Sequence, residues 1–310
     1  MPDPVLLDVT LRDGGYLNRH RWTRGQAHAV LAACAAARVD LCEVGYFRPR
    51  HHERGDTAAP VACCPPDYLA ELRERHPGVR LVVMARPGDT VPSDYRALAA
   101  AGAHCLRLTT APNHLDAVAA HVEAAKAVGL RVTLNLVRVS ELTATDVTRT
   151  AAAAHRYGAD VLYLADSNGS LFPEQVTELV ALAAAHAGDA GLGFHAHDGL
   201  SLAFINSLSA AAAGCRYLDA SLGGVGKGGG NLSLELIAGY LRTRATARYA
   251  TVPLARAVPA VLHACGDDVP ARFDAIASGL LDLNIDDLRV VREQNGELAA
   301  LVDARTAPNP

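Results

Sequence analysis

Two histidines one residue apart, His195-Ala196-His197, lie in the stretch Gly193-Phe194-His195-Ala196-His197-Asp198-Gly199. On an extended segment side chains alternate with period two, so both imidazoles project from one face and can reach one metal ion. Taken alone, the pair also fits a strand carrying two satisfied histidines. A carboxylate to complete a metal set is offered by Asp13, in Thr10-Leu11-Arg12-Asp13-Gly14-Gly15-Tyr16. One carboxylate and two imidazoles with open positions form a recurrent catalytic metal set that leaves room for a bidentate substrate. An aspartate before glycine is equally at home in a turn, so position must decide.

The elements that would position these residues alternate along the chain. Short apolar, β-branched runs occur at 5–11, 39–47, 79–86, 105–110, 131–139, 161–165, 192–197 and 217–222. Helix-period stretches fill nearly every gap, at 26–37, 67–75, 115–128, 144–156, 174–187, 200–213 and 232–242. Gly102, Gly129, Gly158 and Gly214 each stand between a helical stretch and the next strand, where glycine closes a helix in the left-handed conformation. An open doubly wound sheet shares this alternation, but eight units favour a closed (β/α)8 TIM barrel over residues 1–250. Residues 251–310 read as a helical C-terminal extension, with helical stretches at 254–265, 270–279 and 285–292 and a frayed tail at 305–310. The extension either packs on the barrel or mediates oligomer contacts.

In such a barrel the active site lies where the strands end, and here those ends are polar. The first run ends in Asp8 to Tyr16; the second holds Glu43, the fourth Arg107, the fifth Asn135. The sixth ends in Asp166-Ser167-Asn168-Gly169, the seventh is the histidine run, and the eighth opens into the glycine-rich segment 223–231. Asp13 and the histidine pair face one another across the mouth, because the first strand neighbours the eighth and then the seventh. Glu43 and Ser167 are expected among the catalytic groups, and Arg107, Asn135 and Ser167 among those that hold substrate.

Four motifs in this order, Thr10-Leu11-Arg12-Asp13-Gly14-Gly15-Tyr16, Asp166-Ser167-Asn168-Gly169, His195-Ala196-His197-Asp198 and the segment ending at Asn231, resemble the DRE-TIM metallolyase (HMGL-like) superfamily. The pattern is closest to its 4-hydroxy-2-oxovalerate aldolase-like members. The resemblance implies Asp13, His195 and His197 as ligands of a divalent ion, with Asn231 as a further ligand or a supporting group. Manganese is the first expectation, with magnesium, cobalt or zinc as alternatives. It implies Arg12 as the group that stabilises an enolate, and the physics agrees: a 2-oxo acid chelates a cation through its carboxylate and keto oxygens, and a guanidinium offsets the developing charge. The expected reaction makes or cleaves a C–C bond between that enolate and an aldehyde. A homo-oligomer and an aldehyde dehydrogenase partner are implied too. Position 16 departs from the pattern: the condensing synthases carry Glu-Gln after the Arg-Asp-Gly and the aldolases a histidine base, whereas this chain has Gly15-Tyr16. Tyr16, with a lowered pKa, and His20 are the candidates for the missing base, and a purely hydrogen-bonding or gating role is the alternative for Tyr16.

Other readings stay open at this stage: an acyl-CoA-dependent condensation or HMG-CoA-lyase-like cleavage on the same cage, a Schiff-base aldolase using Lys227, and a catalytically silent barrel that serves as a binding partner. The basic segment 47–57 is expected to act as a lid over the mouth, or else to be a solvated loop. Gly224, Gly226 and Gly229 satisfy Gly-x-Gly-x-x-Gly, but no acidic residue follows about twenty positions later, which argues against a dinucleotide site. A net charge of −4 over 310 residues without a basic run argues against nucleic acid. The seven cysteines stand singly apart from Cys63-Cys64, and no membrane-length apolar stretch occurs, which together suggest a reducing cytoplasm.

Overall fold

A computed structural model describes residues 4–49, 59–244, 248–266, 282–284 and 288–295. Eight strands, β1 (Val5–Asp8), β2 (Leu41–Tyr46), β3 (Arg80–Ala85), β4 (Cys105–Thr110), β5 (Arg131–Leu136), β6 (Val161–Asp166), β7 (Gly191–Ala196) and β8 (Tyr217–Ala220), close into a barrel in sequence order. Every neighbouring pair is parallel, and the ring closes where Val5 to Asp8 pair with Tyr217 to Ala220. Parallel strands covered on their outer face by helices must be apolar along their length, which is why the runs read as continuous rather than alternating.

The alternation that matters is on the inner face. Leu7, Leu41, Val82, Cys105, Val161 and Tyr163 come from strands around the ring and pack together, which only the bore permits. Two residues further along, the inner face turns polar: Leu41 is followed by Glu43, Cys105 by Arg107, Thr133 by Asn135, Gly193 by His195 and Tyr217 by Asp219. The barrel therefore rests on an apolar plug and carries a charged layer above it, at the C-terminal ends.

Helices Arg24–Ala37, Pro66–Arg75, Leu115–Ala127, Ala144–Tyr157, Pro173–Ala184, Ala203–Ala213 and Leu234–Arg244 lie in the gaps read from periodicity. Thr23 with Gln26 and Thr143 with Asp146 form capping boxes that fix two of the starts. The glycine punctuation holds: Gly158 closes its helix at φ +73°, and Gly102, Gly129 and Gly214 share positive φ. Helix Ala203–Ala213 starts three residues later than its apolar pattern, because the Asp198 carboxylate accepts from the Ala203 N–H at 2.9 Å. Helix Tyr95–Ala100, between β3 and β4, has no counterpart in the sequence reading; six residues are too few to set a period.

Of the C-terminal segment, helix Thr251–Cys265 buries Leu254, Val261 and Cys265. The preceding Tyr249 is fully buried, its hydroxyl accepting from the Leu6 N–H at 3.1 Å and donating to the Pro4 carbonyl at 3.0 Å, so the chain is tied to the start of β1. Asp282 accepts from Asn168, Ser140 and Ser170 at 2.8–2.9 Å, which fastens it to the loops after β5 and β6. The expected helix at 270–279, the tail at 305–310 and most of the expected lid, 50–57, lie outside the described residues. Among the described residues no helix is long and apolar enough to cross a membrane.

Candidate active site

His195 sits on the inner face of β7 and His197 just beyond its end. Asp13 reaches them because the chain leaves the sheet after Asp8 in a tight turn. Thr10 Oγ donates to the Asp8 carboxylate at 2.5 Å and accepts from the Leu222 N–H at 2.9 Å, while the Asp13 N–H closes onto the Val9 carbonyl at 2.8 Å. The strand expected to run to residue 11 is therefore shorter, and its last residues become the turn that carries Arg12 and Asp13 over the bore. Asp13, His195 and His197, all buried, offer ligand atoms within 4.8 Å of one another.

The two imidazoles are held in a defined protonation pattern. His197 Nδ1 lies 3.0 Å from the Lys227 carbonyl and 3.1 Å from the Gly230 carbonyl, which can only accept, so Nδ1 carries the proton. His195 Nδ1 lies 2.9 Å from the Asp219 carboxylate, outside hydrogen-bond geometry but close enough for the negative charge to favour a proton on that nitrogen. Both Nε2 atoms are then lone-pair donors, yet they face each other at 3.2 Å, with the Asp13 carboxylate 3.9 Å from His197 Nε2. Two imidazole nitrogens and a carboxylate converging within 4.8 Å of one another fit a cation. Burial pushes His197 down to about 4, more than the nearby Asp13 charge restores, so its ring is neutral and available as a ligand near pH 7.

Arg12 links this set to β2. Its Nε donates to Glu43 at 2.6 Å and its Nη1 to Asp13, whereas Nη2 is buried without a hydrogen-bond partner. Burial alone would raise the Asp13 carboxyl, but the Arg12 guanidinium and the two imidazoles hold it well below the usual carboxylate range. Asn231 donates to Asp13 at 2.9 Å and to the Val225 carbonyl at 3.0 Å; its oxygen is buried without a partner. The glycine-rich segment makes this approach possible. A side chain at position 226 would collide with Asn231 and come within 2.8 Å of the Asp13 carboxylate.

Beneath the cage lies the charged layer. Arg107, fully buried, donates through Nη2 to Asp219 at 2.6 Å and to Asn135 at 2.7 Å, stands 3.8 Å from Glu43, and stacks 4.0 Å over the Tyr163 ring. Arg107, expected from sequence to hold substrate, does not line the cavity above the cage; its contacts are with these side chains. Asp219 was missed by the sequence reading, although a charge inside the apolar run Tyr217-Leu218-Asp219-Ala220 is the same signal that singled out Glu43 and Arg107. Burial would raise Asp219, but Arg107 and His195 hold it below the usual range, so it is the anion that fixes His195.

Above the cage opens a cavity of about 340 Å³ lined by Arg12, Asp13, Tyr16, Tyr46, Arg86, Asn135, Arg138, Ser167, both histidines and Lys227. The Asn135 oxygen is committed to Arg107, which leaves N–H donors for the cavity. Ser167 Oγ accepts from the Arg138 N–H at 2.9 Å and keeps its own proton to donate. The Tyr16 and Tyr46 hydroxyls are 2.8 Å apart. Burial and Tyr46 push Tyr16 above the usual tyrosine range, opposite to the lowered pKa expected from sequence, so the phenol keeps its proton. His20 packs edge-on against both rings, outside the cavity wall, and burial pushes it down to about 4. Tyr46 went unmarked in the sequence because a tyrosine at a strand end reads as core. Lys227 Nζ lies 5.2 Å over the Tyr16 ring, and burial pushes it down to about 8.

Residues 97–257 match the family model described as HMGL-like. The chain is 31% identical over 249 residues to 4-hydroxy-2-oxovalerate aldolase from Pelotomaculum thermopropionicum, covering 78% of this chain and 71% of that protein. Against 4-hydroxy-2-oxovalerate aldolase from Thermus thermophilus it is 32% identical over 242 residues, covering 77% and 68%. Among solved structures, the N-terminal domain of a candidate aldolase from Bacteroides vulgatus superposes with a TM-score of 0.84 at 23% identity, covering 96% of this chain and 99% of that one. The carboxyl transferase domain from Rhizobium etli pyruvate carboxylase gives 0.75 at 18% identity, covering 98% of this chain and 54% of that one. These two structures bear on the fold alone.

Proposed function

Because this chain belongs to the HMGL-like family, we propose that it is a divalent-metal-dependent aldolase, a carbon–carbon lyase that joins the enolate of pyruvate or a close 2-oxo acid to an aldehyde or releases it. The observation that carries this reading is the convergence of two imidazole lone pairs and the Asp13 carboxylate, each fixed by a partner behind it. Asp13, His195 and His197 would hold the ion, with the Asn231 oxygen as a further donor. When bound, the ion supplies a Lewis acid for the carboxylate and keto oxygens of the 2-oxo acid. Manganese suits two imidazoles with oxygen ligands, and magnesium, cobalt or zinc are the alternatives a reconstitution series separates.

The chain's own residues supply the rest. Arg12 presents its unpartnered Nη2 to the oxygen on which enolate charge develops, its other nitrogens anchored by Glu43 and Asp13. Ser167 and Asn135 hold the substrate as donors on the cavity wall. In the condensing direction the enolate carbon attacks the aldehyde carbon, the carbonyl π pair moves to oxygen, and Tyr16, protonated and backed by Tyr46, gives that oxygen its proton. His20, neutral near pH 7 and packed behind the tyrosine pair, takes by relay through their hydroxyls the proton that the pyruvate methyl releases as the enolate forms, and returns it to Tyr16 after the aldehyde oxygen is protonated. An aldehyde dehydrogenase partner and a homo-oligomeric state follow from the family resemblance alone.

The test is metal-dependent exchange of pyruvate methyl protons for deuterium, which needs no knowledge of the acceptor. Exchange that vanishes on chelation and returns with added ion supports the reading; persistence after exhaustive chelation refutes it. A Schiff-base route is the second reading, favoured by Lys227 on the cavity wall. Borohydride trapping of pyruvate on Lys227 would establish it.

A further inference from the structure

On the outer side of the barrel wall, away from the cage, three more ligand-bearing side chains meet. In the parallel pairing of β1 with β2, Asp8 stands opposite Cys42. Their neighbours Leu7, Val9 and Leu41 pack in the bore, so alternation turns Asp8 and Cys42 the other way, toward the helix layer. Helix Arg24–Ala37 covers that face, with Cys34 on its buried side. Asp8, Cys34 and Cys42, all fully buried, each offer a ligand atom within 4.8 Å of the others. Among the described residues, only this set and the cage bring three such groups together.

The carboxylate in this set is only half satisfied. Asp8 Oδ1 accepts from Thr10 Oγ at 2.5 Å, whereas Oδ2 is buried without a hydrogen-bond partner. A buried carboxylate oxygen with no donor is costly, and either a proton or a cation must answer it. The two sulfurs beside it decide which cation: thiolates select zinc-like ions, whereas magnesium and manganese prefer oxygen. The spacing suits such an ion. Donors about 2.0–2.3 Å from a tetrahedral zinc stand about 3.3–3.8 Å apart, inside the 4.8 Å that bounds this set.

We propose that Asp8, Cys34 and Cys42 bind one zinc ion as a second, structural metal site, supplying three of the four donors of a tetrahedral ion, with water as the fourth. On binding, the ion replaces the two thiol protons and any proton on Asp8, all of which pass to solvent. It ties helix Arg24–Ala37 to β1 and β2. Through Thr10, which donates to Asp8 and accepts from the Leu222 N–H, it also steadies the turn that carries Arg12 and Asp13. The site stands independently of the aldolase reading, and its sulfur donors set its ion apart from that of the cage.

The experiment titrates the full-length chain, stripped by chelation and fully reduced, with cadmium as a spectroscopic stand-in for zinc. It reads the ultraviolet sulfur-to-cadmium charge-transfer band, which the nitrogen and oxygen donors of the cage cannot give. The wild type is expected to bind two ions per chain, one of them with the band. H195A/H197A should keep the band and bind a single ion. C34A and C42A, each checked by circular dichroism to be folded, should lose the band and keep the cage ion, while C215A retains both. D8N should keep the band with affinity at least about tenfold lower. Zinc should raise the melting temperature of H195A/H197A and leave that of H195A/H197A/C42A unchanged. A wild type that binds one ion without the band overturns the sulfur site and leaves the cage standing. A band that survives C34A or C42A overturns it as well, and so does D8N with native affinity.

Discussion

Replacing Asp219 by asparagine tests the logic of the cage at a residue outside the ligand set. In the native protein the Asp219 carboxylate lies 2.9 Å from His195 Nδ1 and accepts from Arg107 at 2.6 Å. Its charge favours the proton on Nδ1 and leaves Nε2 as a lone pair. The asparagine amide can instead donate to Nδ1, which moves the ring proton to Nε2, into the space the ion would occupy. Loss of a partner of this kind weakens a metal site about 10- to 100-fold, or about 1.4–2.7 kcal/mol. The same change leaves Arg107 without its closest anion. Removing one partner of a buried pair costs about 3–5 kcal/mol, and we expect the lower part of that range, because Asn135 and Glu43 still face the guanidinium. Calorimetric titration of stripped protein with the divalent ion, below the melting transition of the variant, measures the first effect. A folded D219N that binds the ion with native affinity would refute the argument that Asp219 sets the His195 tautomer.

H195A and H197A should each abolish tight ion binding and deuterium exchange together; a variant that keeps either alone contradicts the shared cage. R12K preserves the charge beside Asp13 but cannot span Glu43, Asp13 and the substrate oxygen at once, so turnover should fall about 100-fold while ion affinity changes far less. Unchanged turnover would remove Arg12 from its enolate role. G226A places a methyl against Asn231 and the Asp13 carboxylate, and titration should show ion affinity about tenfold lower. Asp8 is fully buried with one oxygen unpartnered, and burial raises its carboxyl from 3.8 to about 7. Between those values the unfolded chain sheds a proton that the folded chain keeps. Stability is therefore greatest below the lower value and falls as pH rises through the upper one, by on the order of 4 kcal/mol. D8N, which keeps an acceptor for Thr10, should flatten the decline in melting temperature between pH 4.5 and 7.5; equal slopes would dismiss Asp8 as its source.

Much of the architecture follows from local rules that any stretch of chain obeys. Continuous apolar runs are what a parallel strand buried on both faces requires, and left-handed glycines end helices wherever they occur, so eight units and their order could be read without coordinates. The histidine pair was legible for the same reason, since period two alone puts both rings on one face. Asp13 was legible only as a strand-end carboxylate. What the tertiary structure decided concerns pairings between residues far apart in sequence. Nothing near His195 announces that Asp219 would hold its Nδ1, and nothing near Arg107 indicates that Asp219, Asn135 and Glu43 would be its partners. Tyr16 gave the wrong sign for the same cause: a metal site next door suggested a lowered pKa, whereas burial beside Tyr46 raises it. The order and type of the elements follow from short-range sterics and hydrophobicity, while where a strand ends, as at Asp8, and the protonation state of a site depend on contacts that closure of the barrel brings together.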